Sequence, residues 1–146
     1  MNNIDMGKLI NSIKMEFFSI ADNVGLARVT VATIASQADL TLNDLEEIKV
    51  AASEAVSNAI IHGYENRSQE VVRVEVSRFE KYLEIVVEDK GKGIENVKQA
   101  LEPAYSSDPE RMGLGFVFMQ SFMDELEVKS ELGHGTIVIM RKQLSN

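Results

Sequence analysis

The chain has 146 residues, 45% of them apolar and 26% charged, values ordinary for one globular domain spanning 1–146. A formal net charge of −8 argues against direct nucleic-acid binding, which needs excess Lys and Arg to displace counterions. The absence of Cys excludes disulfides, thiolate metal sites and Cys nucleophiles. No apolar run is long enough to cross a bilayer. The opening Met1 to Met6 lacks the basic-then-apolar order of a signal peptide, so a cytoplasmic protein with no membrane association is expected.

Apolar residues from Ile13 to Ile20 predict a first strand. Val24 to Ala38 is divided in its signals. Its Val, Thr and Ile residues favour strand locally, whereas its length and several Ala favour helix. Thr41 and Asp44 resemble a capping box, and Ile48, Ala52, Ala55 and Ala59 then recur as one buried helical stripe should. His62-Gly63 ends that run, with Gly63 suited to a left-handed C′ position. Val71 to Val76 and Leu83 to Val87 read as neighbouring antiparallel strands joined near Phe79-Glu80-Lys81. Periodicity fades from Lys90 to Met112, which reads as a long loop of the kind often used as a lid. Gly115 to Met123 reads as helix, and Leu126 to Ser130 and Thr136 to Arg141 as closing strands around Gly133-His134-Gly135. The order predicts an α+β, two-layer sandwich: a mixed or antiparallel sheet covered on one face by helices.

Four short patterns carry chemistry. Glu54, Asn58 and His62 are four apart, and each such step rotates roughly 40° about a helix axis, so they form one polar stripe beside the apolar one. Taken alone, that stripe is better explained as a solvated helix face. Asp89, at a strand end before Gly91 and Gly93, can accept a hydrogen bond from an exocyclic amine while the glycines let backbone approach a ligand. Arg111-Met112-Gly113-Leu114-Gly115 precedes a helix, whose free N–H groups attract phosphate. Gly133-His134-Gly135-Thr136 is a hairpin turn by itself. No P-loop, protein-kinase or nucleophile-elbow signature is present.

Taken in this order, the patterns resemble the N box and three glycine boxes of the GHKL ATPase/kinase superfamily, over nearly the whole chain. A narrower resemblance is to the serine kinases that act as sporulation anti-sigma factors. It is carried by Ala27-Arg28-Val29-Thr30-Val31-Ala32, by Ser53-Glu54-Ala55-Val56 with Asn58 to Asn66, and by Gly115-Phe116 with Phe122-Met123-Asp124. That resemblance implies a dimer that binds ATP and Mg²⁺, sequesters a sigma factor, and phosphorylates a serine of an anti-anti-sigma protein. By position it implies Glu54 as catalytic base, Asn58 as Mg²⁺ ligand and Asp89 as adenine reader. It places His62, Gly91, Gly93, Ser106, Ser107, Arg111, Gly113, Gly115 and Thr136 around the nucleotide, with Arg111 at the γ-phosphate. Arg28 becomes the partner-binding residue. The family lid carries Thr-Thr-Lys-Pro where this chain has Ser106-Ser107-Asp108-Pro109, which removes one Lys. A kinase of the general-stress sigma system, or a non-catalytic module shaped by ATP, would keep the same motifs.

Overall fold

The computed structural model describes residues 4–102 and 112–144. Ser106, Ser107 and Arg111 lie outside the described residues. Five strands form one antiparallel sheet in the order β1-β2-β3-β5-β4, with β1 at Leu9–Phe18, β2 at Val71–Phe79, β3 at Tyr82–Asp89, β4 at Glu125–Glu131 and β5 at Gly135–Gln143. Helices α1 (Asp22–Ala35), α2 (Leu42–Asn58), α3 (Val97–Ala100) and α4 (Met112–Phe122) complete the domain. Among the described residues no helix is long and apolar enough to cross a membrane.

Register explains the core. Val74, Val87, Val138 and Val128 are successive cross-strand partners on one rung, and Val76, Ile85, Met140 and Leu126 form the next. These side chains pack against Ala27, Val31, Ile34 and Ala35 of α1 and the Ile48, Ala52, Ala55 stripe of α2. The opposite face of the sheet is held by ion pairs across strands, including Arg141 with Glu84 (2.8 Å) and Glu125 (3.3 Å), and Arg73 with Glu16 (2.8 Å). One rung beyond Val87 and Val138, the core-facing row turns polar: Asp89, Thr136 and Ser130 are cross-strand partners on β3, β5 and β4. This polar end of an otherwise apolar face is where a site can form.

Several boundaries differ from the sequence expectation. The first strand begins at Leu9 and stops at Phe18 rather than covering Ile13 to Ile20. Backbone pairing to the end of β2, after a left-handed Gly7 (φ 78°), recruits its polar start. The divided Val24 to Ala38 segment is helical as far as Ala35. Its buried Ala27, Val31, Ile34 and Ala35 follow helical spacing, and the hydroxyls of Thr30 and Thr33 donate back to the Leu26 and Val29 carbonyls at 2.9 and 2.8 Å. The capping box forms in both directions: Asp44 N–H donates to Thr41 Oγ1 (3.0 Å) and Thr41 N–H to Asp44 Oδ2 (3.2 Å). Within the stretch read as a long loop, α3 forms one short turn capped by Asn96, whose Oδ1 accepts from Gln99 N–H at 3.0 Å.

Candidate functional site: a cleft between the long helix, two glycine loops and the polar end of the sheet

Helix α2 does not stop at His62-Gly63 in a left-handed cap. It widens into a π-turn over Ala59–Gly63, closed by Tyr64 N–H donating to the Ala59 carbonyl at 2.9 Å. The left-handed residues come later, at Glu65 (φ 54°) and Asn66 (φ 64°). The extra residue in this turn rotates the succeeding backbone relative to an α-helix, and such turns recur at functional sites. Its effect here is to bring Gly63 against the Asp89 loop. A Cβ on Gly63 would lie 2.7 Å from Asp89 Cγ, and a Cβ on Gly91 would overlap the Gly63 carbonyl. That carbonyl accepts from Lys92 N–H at 2.9 Å. Tyr64 then pins the two strand ends, its hydroxyl donating to the Val71 carbonyl (2.6 Å) and accepting from Lys90 N–H (2.7 Å).

The resulting cleft is lined by Asn58, His62, Gly63, Asp89, Gly93 and Thr136. Apolar walls come from Ala55, Val87, Ile94, Phe116 and Val138. Apolar walls with a few convergent polar groups are what a flat heteroaromatic ligand needs. Asp89 is 6% exposed. Burial pushes its carboxyl up from 3.8 to about 6, while hydrogen bonds from the Gly91 and Thr136 backbone pull the other way. Gly91 N–H to Asp89 Oδ1 is 2.8 Å. Gly93 is left-handed (φ 76°), and any Cβ there would overlap the Glu131 carbonyl.

Helix α4 closes the other side. A Cβ on Gly115 would stand 3.0 Å from Glu54 Oε1 and 3.2 Å from Asn58 Nδ2, so the first turn of α4 runs directly over these two side chains. Gly113 also falls in that turn. Asn58 Nδ2 is buried with no hydrogen-bond partner among the described residues, which leaves a donor for an acceptor atom of a ligand. Glu54, one turn before Asn58 and half-buried, has its carboxyl pushed up by burial. No group of three or more His, Asp or Glu able to cage a metal exists among the described residues. An Asn amide with one neighbouring carboxylate instead fits Mg²⁺, which keeps its waters and leans on substrate phosphates. Among the described residues that line the cleft, none is Lys or Arg.

The structure therefore gathers Asn58, His62, Asp89, Gly93 and Thr136 around one cleft, with Gly91 behind Asp89 and Gly115 over Glu54 and Asn58. Arg28 stands apart on α1. It is half-buried, its Nη1 donating to Ser53 Oγ at 3.2 Å, beside the exposed Leu26 and Val29. The sequence reading overlooked Gly63, taking it for a helix stop. It named Gly135 within the last glycine pattern without giving it a role; there (φ 101°) a Cβ would overlap the Asp89 carbonyl. The apolar walls carried no signal distinct from core.

Residues 19–142 match the model of the histidine kinase-like ATPase domain. The anti-sigma F factor of Clostridium novyi (strain NT) is 49% identical over 138 residues, covering 93% of this chain and 96% of the relative. That of Clostridium kluyveri is 50% identical over 134 residues, covering 90% and 94%. Among solved structures, the RsbU and RsbW domains of a Mycobacterium tuberculosis protein superpose with a TM-score of 0.64 at 18% identity, over 94% of this chain and 33% of that one. The mycobacterial sensor histidine kinase MprB gives 0.59 at 16% identity, over 90% and 98%. At these identities the structural matches speak for the fold alone. The chain belongs to the histidine kinase-like ATPase domain family and, within it, to the anti-sigma F factors.

Proposed function

We propose that the chain sequesters a sporulation sigma factor and uses Mg²⁺-ATP to phosphorylate a serine of an anti-anti-sigma protein. The observation that carries this reading is the meeting of Glu54, Asn58 and the Gly115 turn of α4, one helical turn away from a cleft that ends in a buried acceptor, Asp89. The adenine end is read by Asp89, which accepts from an exocyclic amine. Guanine presents a carbonyl at that position, and its approach would place two acceptors face to face. The backbone N–H groups opening α4 receive phosphate oxygens, helped by Arg111 from the lid. Ser106, Ser107, Gly113 and Thr136 complete the contacts to the nucleotide.

Asn58 Oδ1 would hold Mg²⁺, which would offset charge on the phosphates. Glu54 orients the incoming serine hydroxyl, whose oxygen bonds the γ-phosphorus as the bond from that phosphorus to the β–γ bridging oxygen breaks and ADP leaves, and it takes the hydroxyl proton late in the transfer. Its partial burial raises its basicity, which suits that role. Arg28, hydrogen-bonded to Ser53, the residue preceding Glu54, provides a docking point for both protein partners, which then compete for one surface. The active form is a homodimer.

Radiolabel transfer from ATP to candidate anti-anti-sigma proteins tests the reading. Wild type should label a serine. Glu54→Gln should abolish transfer while ATP affinity, measured in parallel, stays within a few-fold. Near-normal transfer by Glu54→Gln removes the base assignment. ATP binding and sigma capture without any transfer by wild type supports a module that ATP only shapes.

A further inference from the structure

Ser130 sits at the edge of the polar rung and belongs to no motif in the sequence. Its hydroxyl nevertheless meets three groups. Ile94 N–H donates to Ser130 Oγ at 2.7 Å, the Gly135 carbonyl lies at 3.0 Å, and Thr136 Oγ1 at 2.7 Å. A serine hydroxyl has one proton and two lone pairs. The Ile94 amide can only donate and the Gly135 carbonyl can only accept. If all three contacts are hydrogen bonds, the Ser130 proton is committed to Gly135, one lone pair to Ile94, and the remaining lone pair must receive the Thr136 proton. Thr136 is then left with lone pairs alone to present to the cleft it lines. Asp89, its cross-strand partner, presents acceptors as well.

Resting on the adenine-nucleotide reading above, we propose that Ser130 is a positioning residue for base selectivity: it fixes the Thr136 hydroxyl as an acceptor, so that the cleft offers a donor-seeking pair, Asp89 and Thr136, to the exocyclic amine of adenine or the water bonded to it. Ser130 also ties the Ile94 end of one glycine loop to the Gly135 turn of the other, which holds the two sides of the base pocket in register. Without it, the Thr136 hydroxyl is free to rotate and donate, and a purine carrying a carbonyl at that position is no longer opposed by two fixed acceptors.

The test is calorimetric titration of ATP and inosine triphosphate into wild type, Ser130→Ala, Ser130→Thr, Thr136→Val and the Ser130→Ala/Thr136→Val double variant, without acceptor protein. Wild type should prefer ATP. Ser130→Ala should lower the ATP-to-inosine-triphosphate affinity ratio about tenfold, Ser130→Thr should retain it, and the double variant should lose no more selectivity than Thr136→Val alone. Hydrogen exchange at the Ile94 amide of the nucleotide-free protein should accelerate in Ser130→Ala and stay slow in Ser130→Thr. Failure of wild type to bind ATP would sink the nucleotide reading itself. Normal ATP binding with equal losses for both nucleotides in Ser130→Ala, or an additive double variant, would overturn the role given to Ser130 alone. Should Ser130→Ala not fold, Ser130→Cys, a poor acceptor of similar size, carries the same expected drop. Loss of folding in both would make Ser130 structural and overturn the proposal.

Discussion

Replacing Asp89 by Asn removes a buried charge while keeping the acceptor that Gly91 N–H meets at 2.8 Å. In the folded protein the Asp89 carboxyl titrates near 6, against 3.8 when free of burial. Below about pH 4 both states hold the proton and the group contributes nothing. Between these values only the folded state does, so stability falls as pH rises through that window. Above about 6 the full cost applies, up to about 3 kcal/mol. That is a sizeable share of the roughly 5–15 kcal/mol typical of a domain. Asp89→Asn should therefore match wild type at pH 4 and be more stable by up to about 3 kcal/mol at pH 7.5, in urea unfolding of the nucleotide-free protein. ATP should offset most of that difference. At a hundredfold excess over its Kd, a ligand stabilises wild type by about 2.7 kcal/mol, and Asp89→Asn should show much less. A difference independent of pH, or a variant less stable than wild type at pH 7.5, would refute the claim that burial of the carboxylate is the dominant effect.

Gly115→Ala should separate stability from chemistry. Ala favours the helix by roughly 0.5–1 kcal/mol, so Tm should rise by about 2–4 °C, while the Cβ 3.0 Å from Glu54 Oε1 displaces the base and lowers phosphoryl transfer at least about tenfold. Asn58→Ala deletes an amide whose nitrogen is buried and unpartnered, so folding should be unharmed. The Mg²⁺-dependent part of nucleotide affinity should disappear, which titration with and without Mg²⁺ will show. Arg28→Glu should weaken binding to both the sigma factor and the anti-anti-sigma protein, with ATP affinity and Tm nearly unchanged. Calorimetry with each partner decides this, and normal partner binding would reduce Arg28 to a structural residue.

Where the sequence was readable, a local rule and the tertiary environment agreed. Thr41 and Asp44 cap α2 as their spacing implies, and Ile48, Ala52, Ala55 and Ala59 are all buried. The strands β2 to β5 alternate because one face packs on helices and the other is solvated. Disagreement arose where long-range pairing overrode local preference. Val29, Thr30, Val31 and Thr33 favour strand locally, yet burial of Val31 between Ala27 and Ile34 decides for helix. Leu9 to Ser12 has no strand signal of its own and is extended because β2 pairs with it. In the site, the charged and glycine positions were legible from their order along the chain. Gly63 and Ser130 were not, because what each does depends on contacts to residues 26 or 36 positions away, Asp89 for one and Ile94 for the other.

The π-turn at Ala59–Gly63 makes the chain sensitive to the number of residues at this point in one direction more than the other. Ile61 is 38% exposed, so its exchange for a polar residue should be tolerated. Tyr64 N–H meets the Ala59 carbonyl five residues back, where an α-helix uses the fourth. A helix one residue shorter would return to α geometry with Tyr64 on that same carbonyl, and its hydroxyl would still link the Val71 carbonyl to the Lys90 amide. A residue added is another matter. It would carry Tyr64 roughly 100° further about the axis, a full residue step, and the first glycine loop would lose its anchor to the sheet. Alignments of functional family members should thus show free substitution at Ile61 but no insertion between Asn58 and Tyr64, and a library of single-residue insertions should be depleted across that interval while neighbouring exposed positions on α1 survive.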